Sequence, residues 1–187
     1  MIANLDGMKV AILVADGFEQ VELEEPRDAL KAAGAVTNVV SPADIVVRGW
    51  YFTEWGEEIP VEVPLTEANA ANFDALLLPG GVINPDTLRI IPKAIAFVRQ
   101  FVSYKPIASI CHGPWTLIEA GAVRGRRMTS WPSLRTDLSN AGAEWVDQEV
   151  VVDRGIVTSR KPADIPAFNE EMIALFGKSR SLASRTA

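Results

Sequence analysis

Cys111 and His112 are neighbours in SICHGPW (109–115), and each is the only residue of its type in the 187-residue chain. A thiol beside an imidazole is the pairing from which cysteine nucleophiles are built, because the imidazole can take the thiol proton. The apolar run PIASI (106–110) reads as a short strand entering Cys111, and a helix is expected from about Pro114 to Ala120. The sulfur then lies in a sharp strand-to-helix turn, where strained backbone lifts a nucleophile out of a sheet. N–H groups from His112 onward lie at a helix N-terminus, where they can favour a thiolate or hold an oxyanion. Gly113 allows the backbone to pass close to a ligand. The competing reading is a small buried core cysteine, the usual fate of a free thiol; the Cys-His-Gly-Pro context favours the nucleophile.

Two further stretches could complete such a site. PGGVINPD (79–86) follows an apolar run, and Gly80–Gly81 offers accessible backbone donors. Alone it is a tight turn; opposite a nucleophile elbow it becomes a candidate half of an oxyanion hole. DGFEQVE (16–22) brings acids. Glu19 and Glu22 are three apart and share a helical face. Acids in a first helical turn are ordinarily partners of the helix dipole, which accounts for Glu19 and the Glu24–Glu25 pair.

The elements that must position these residues alternate in kind. MKVAILVA (8–15), VTNVVS (36–41), FDALLLPGG (73–81) and PIASI read as buried strands. VELEEPRDALKAAGA (21–35), with Pro26 in its first turn, and PKAIAFVRQFVSY (92–104) read as helices. VVRGWYF (46–52) and EEIPVEV (57–63) form a hairpin turning at Thr53–Gly56. GRRMTS (125–130) reads as a strand, PSLRTDLSNAG (132–142) as a helix, and a late β region precedes a final helix, PADIPAFNEEMIALFG (162–177). The polar tail, 178–187, is expected to be mobile. This alternation implies βαβ units and a mostly parallel sheet in one domain over 1–187, with its core at 8–177; an antiparallel α+β fold is the alternative. Active groups of such a sheet gather beyond the strand C-termini.

Composition narrows the function. A net charge of −6 disfavours nonspecific nucleic-acid binding. No apolar run is long enough to span a bilayer, and the start lacks a basic segment before an apolar one, so no membrane anchoring and no signal peptide are expected. One cysteine excludes an internal disulfide and fits a reducing, cytoplasmic setting. One His and one Cys cannot build a zinc site unaided, so no metal or other cofactor is expected. Trp50 and Trp55 flank the hairpin beside Tyr51 and Phe52, and mark either a subunit interface or core. Trp115 and Trp131 could line a pocket or pack in the core; Trp145 reads as core.

GFEQVEL, FDALLLPGG, ICHGPW, GRRMTS, NAGAEWVDQEVVVD and TSRKPADIPAF together resemble the PfpI branch of the ThiJ/PfpI superfamily, over residues 8 to 176. The resemblance implies a flavodoxin-like α/β/α sandwich, similar to class I glutamine amidotransferases, with Cys111 as the reactive cysteine. It implies Glu22 as the acid that hydrogen-bonds the sulfur, and His112 as the neighbouring histidine. It implies a third acid reaching in from an adjacent subunit of a homodimer or higher homo-oligomer. The matching Pro-acid pair here is Pro85–Asp86, one residue further from the glycines and one methylene shorter. A glutamine amidotransferase triad needs a histidine in the C-terminal third, and none follows His112.

Three chemistries fit these residues. The resemblance implies attack by the thiolate on a small aldehyde such as methylglyoxal, or on its amine adduct, with lactate released, as in glyoxalases and deglycases. The second is peptide hydrolysis through an acyl-enzyme at Cys111. The third is redox sensing, with Cys111 oxidised beside Glu22. In each, the thiol is expected to titrate low at its helix N-terminus, and Glu22 high beside the sulfur.

Overall fold

The computed structural model describes residues 4–102 and 104–183. A seven-stranded sheet forms its centre. In chain order the elements are β1 (Lys9–Leu13), β2 (Phe18–Glu19), α1 (Gln20–Ala32), β3 (Val36–Ser41), β4 (Val46–Tyr51), β5 (Glu54–Pro60), β6 (Val63–Pro64) and β7 (Ala75–Leu78). There follow α2 (Ile83–Arg89), α3 (Pro92–Val102), β8 (Ile107–Ile110), α4 (Pro114–Glu119) and β9 (Arg127–Met128). The chain ends in α5 (Arg135–Asn140), β10 (Glu144–Trp145), β11 (Val150–Asp153), β12 (Ile156–Ser159) and α6 (Ile165–Ala183).

The central order is β11-β12-β8-β7-β1-β3-β6, parallel throughout except for β11. The period-2 pattern of a strand buried on both faces divides the core in two. Ala11, Leu13, Leu76 and Leu78 face α3 and α4, where they meet Phe97, Phe101 and Leu117. Val10, Ile12, Ala75 and Leu77 face α1 and α6, against Leu23, Leu30, Phe168 and Met172. This is the α/β/α sandwich expected from the strand–helix alternation.

Strands β8, β7 and β1 lie side by side, so their C-terminal ends open onto one edge. The chain moves outward from β1 to β3, then returns to the opposite side of β1 as β7. That reversal leaves a crevice above the strand ends. The hairpin β4–β5 joins β2 in a small separate sheet beside it. Gln20 docks the hairpin: its Oε1 accepts from Glu57 N at 2.9 Å, and Gly49 and Gly56 lie closely over its side chain.

Four local expectations are corrected. Pro26 stands inside α1, not in its first turn. Its missing N–H leaves Glu22 C=O without the usual partner four residues on, which packing of the buried α1 face outweighs. The hairpin turns at 52–53, earlier than Thr53–Gly56. INPDTLR, expected to lie in the loop after the glycines, is a helix, α2; Pro85 sits in its first turn, where no N–H is needed. Helix α6 continues past Gly177 to Ala183, so the described part of the expected tail is helical; one interior glycine costs a helix only about 1 kcal/mol. Residues 184–187 lie outside the described residues.

Candidate active site

Cys111 follows β8 directly and adopts φ 62°, a left-handed conformation that a non-glycine residue rarely takes. Its own backbone is held on both sides: its N–H donates to Ser159 O at 3.0 Å, and its C=O accepts from Trp131 N at 3.0 Å. The strained turn is therefore fixed by β12 and by the segment after β9, and it aims the sulfur into the crevice.

Glu22, on the first turn of α1, is fully buried. Its Oε2 accepts from Gly80 N at 2.9 Å, and its carboxyl also meets the Cys111 thiol. Burial pushes this carboxyl up to about 8, against smaller opposing effects from the Cys111 and Gly80 hydrogen bonds. The expected high acid is thus present. The expected low thiol is not: burial and the Glu22 carboxylate push Cys111 up, while the N–H groups of Gly81 and His112 pull it down. Two adjacent buried acids cannot both ionise, so the pair carries at most one negative charge near neutral pH.

His112 places Nδ1 3.2 Å from Cys111 Sγ. Its Nε2 lies 3.4 Å from Ser133 Oγ. The ring stacks on Trp131 with centroids 5.9 Å apart and meets the edge of Trp115 at 5.2 Å. Burial holds the imidazole down at about 4, so it is neutral at pH 7 and able to accept a proton.

The two glycines of the β7 loop do different things. A Cβ on Gly80 would stand 2.6 Å from both Cys111 Cβ and Glu22 Oε2, so only glycine fits. The Gly80 N–H is already taken by Glu22, which removes it from the candidate oxyanion donors. Gly81, at φ +78°, directs its N–H to the Cys111 sulfur, as does His112. Above them lies a cavity of about 600 Å³ with Glu22, Cys111 and His112 in its wall. Its other walls are mostly apolar: Trp50 and Phe52 from the hairpin, Val82 and Ile83 from the start of α2, Trp131, and the exposed Lys161.

Residues 8–175 match the DJ-1/PfpI family. The chain belongs to that family. It is 44% identical over 173 residues to protein/nucleic acid deglycase 2 of Escherichia coli, covering 90% of this chain and 98% of the relative. It is 43% identical over 175 residues to general stress protein 18 of Bacillus subtilis, covering 92% and 99%. Among solved structures, a protein of Anabaena variabilis with DJ-1/ThiJ/PfpI-like and ferritin-like domains superposes with a TM-score of 0.84 at 33% identity. The match covers 91% of this chain and 48% of that one. Proteins named as a deglycase and as a general stress protein are thus among this chain's relatives, and the alignment with them runs over nearly its whole length.

The remaining candidates of this DJ-1/PfpI chain fall outside the cavity. Gly113 turns inward, packed against Leu78 O and Ser109 Oγ, so its small size serves the elbow and not a ligand. Trp115 stands behind His112, with its indole N–H donating to Asp137 at 2.8 Å. Asp86 is exposed in the first turn of α2, and no bond joins it to His112 within the chain. Trp131 and Ser133 were not assigned to His112 by the sequence. Both lie some twenty residues downstream, and only the return of the chain after β9 brings them back. No helix among the described residues is long and apolar enough to cross a membrane.

Proposed function

We propose that this chain is a cysteine-dependent enzyme of small reactive aldehydes and their amine adducts, of glyoxalase and deglycase type. The observation that carries the reading is the Glu22–Cys111 pair: a buried carboxyl, protonated at neutral pH, in contact with a strained thiol. In this reading neutral His112 takes the thiol proton, and the sulfur adds to the aldehyde carbon. The carbonyl π pair moves to oxygen, which is protonated to give a hemithioacetal. Glu22, left as carboxylate once its own proton has gone to that oxygen, takes the proton from that carbon and returns it to the adjacent ketone carbon through an enediol, leaving a thioester. Water drawn by His112 splits the thioester, releasing lactate and the free thiol. For an amine adduct, the amine leaves as the S–C bond forms. In this reading the N–H groups of Gly81 and His112, which face the sulfur, also hold the developing oxyanion. Among the relatives, the name protein/nucleic acid deglycase supports the adduct form of the substrate.

Peptide hydrolysis is less well supported. Cys111 is only 6% exposed at the base of the cavity, which suits a small aldehyde better than a folded polypeptide.

The test is to follow lactate formation from methylglyoxal, and cleavage of a fluorogenic peptide, with wild-type protein and Cys111→Ala. Lactate from wild type alone is the expected result. Unchanged lactate formation in Cys111→Ala, or peptide cleavage without lactate, overturns the reading.

A further inference from the structure

Asn84 lies one turn below the site, fully buried at the start of α2, and it touches neither Cys111 nor the cavity. Its side chain nevertheless makes three hydrogen bonds. Nδ2 donates to Pro79 O at 3.0 Å and to Gly80 O at 2.9 Å. Oδ1 accepts from Ala15 N, just beyond β1, at 2.7 Å. Both amide hydrogens and the amide oxygen are thereby engaged. The orientation of the amide follows, because a flipped group would set its oxygen against two carbonyls.

The two carbonyls belong to successive peptide units. In a planar trans peptide, C=O and N–H point in opposite directions. The unit that carries Pro79 O also carries the Gly80 N–H, which donates to Glu22 Oε2 at 2.9 Å. The unit that carries Gly80 O also carries the Gly81 N–H, which faces the Cys111 sulfur. Holding each carbonyl on the Asn84 side therefore aims each N–H at the reacting pair. Glycine backbone would otherwise turn freely at 80 and 81. Among the described residues, the only other hold on Gly80 O is a long bond from Glu19 N, at 3.4 Å.

We propose that Asn84 is the positioning residue of this site: its amide clamps two successive peptide units so that one N–H faces the Glu22 carboxyl and the next faces the Cys111 sulfur. The clamp also ties the β7 loop to Ala15, just beyond β1, from which the chain runs through β2 into α1 and Glu22. No other residue type supplies this set. Asp has no donors, and Gln adds a methylene where there is no space.

Wherever the first negative charge of the pair settles, on sulfur or on carboxylate, it faces one of the two clamped N–H groups. Loss of the clamp therefore raises the first ionisation. The measurement is the rate of Cys111 alkylation by iodoacetamide from pH 5 to 10, which does not depend on which substrate the enzyme turns over. Asn84→Ala removes all three bonds. Asn84→Asp keeps the acceptor for Ala15 N and removes both donors. Both variants are expected to alkylate at least about fivefold more slowly at pH 7, with the profile moved to higher pH, since a hydrogen bond to a charged group is commonly worth tenfold or more. A folded Asn84→Asp with the wild-type profile overturns the proposal, because the tie to β1 alone would then suffice. If neither variant folds, wild-type protein decides the matter by NMR. The Asn84 side-chain amide protons must exchange slowly with solvent, and the Gly80 amide proton must shift as Glu22 titrates. Fast exchange at Asn84, or a Gly80 signal indifferent to that titration, overturns it equally.

Discussion

The Glu22 carboxyl and the Cys111 thiol share one buried contact, so they titrate as a unit. The stability of the fold then depends on pH through Glu22. In the unfolded chain this group ionises near its usual 4.5, and in the folded chain near 8. Between those values the unfolded chain has released a proton that the folded chain keeps. Stability contributed by the neutral carboxyl is whole below 4.5 and is lost as the pH rises toward 8. The ceiling on this loss is about 5 kcal/mol, from 1.36 kcal/mol per pH unit across the window. Glu22→Gln keeps the shape and has nothing to ionise. Its melting temperature relative to wild type should therefore rise from pH 4.5 to pH 8 and then level off. A constant difference across that range would mean that Glu22 is ionised in the folded protein.

His112 has the opposite sign. Burial depresses the imidazole from 6.5 to about 4. Below 6.5 the unfolded chain binds a proton that the folded chain refuses, so stability falls as pH drops from 6.5 toward 4. The chain has one histidine, so its ring resonances can be followed without ambiguity. They are expected to stay in the neutral form down to pH 5 and to titrate near 4. A midpoint near 6.5 would place the ring in water and remove the neutral base from the mechanism.

The sequence carried the outline of this site because its key residues sit at strand ends, where local pattern is strongest. An apolar strand running into Cys-His-Gly-Pro forecasts an elbow, and the φ of 62° at Cys111 is that elbow. Period-2 burial in β1 and β7 forecasts the sheet. What remained illegible depends on distance along the chain or on compensation. Trp131 and Ser133 meet His112 only through tertiary return. Pro26 was expected in a first helical turn and instead stands inside α1, tolerated by packing, while Pro85 lies in the first turn of α2, where no N–H is needed. The high thiol was missed because a helix N-terminus argues for a low one, and the burial of Glu22 against the sulfur, visible only in the fold, reverses the sign. Asn84 drew no reading from the sequence because its three partners lie on two other segments.

Gly80→Ala tests the closeness of packing between loop and nucleophile. The added methyl would lie 2.6 Å from Cys111 Cβ and 2.9 Å from His112 N, which is backbone and cannot swing aside. The β7 loop must then move out, carrying the Gly81 N–H off the sulfur. The variant should lose about 1–3 kcal/mol of stability by overpacking and at least about tenfold in turnover. Urea unfolding and methylglyoxal turnover measure the two effects. Wild-type values for both would show that the loop has slack.

The last prediction concerns Asp86. Its carboxylate is exposed in the first turn of α2, beside Val82, Ile83 and Ile90, which are 56%, 43% and 79% exposed. An acid at the edge of such an apolar patch is well placed to enter a neighbouring subunit's site when the patch is covered by a second copy. Among the described residues, the one polar side chain that His112 Nε2 meets within its own chain is Ser133, a neutral partner at 3.4 Å. An acid from the neighbour would hold the imidazolium formed during turnover more strongly. Asp86→Ala is therefore expected to lose about tenfold or more in turnover while keeping its cavity and its Cys111 alkylation profile. Cys111→Ala chains lack the nucleophile but still carry Asp86. Mixing Cys111→Ala with the weakened Asp86→Ala under conditions of subunit exchange should raise activity above that of Asp86→Ala alone, because a mixed dimer holds one site with both Cys111 and a partner's Asp86. Exchange confirmed by mass spectrometry without any such rise in activity would confine each site to a single chain and leave Ser133 as the partner of His112.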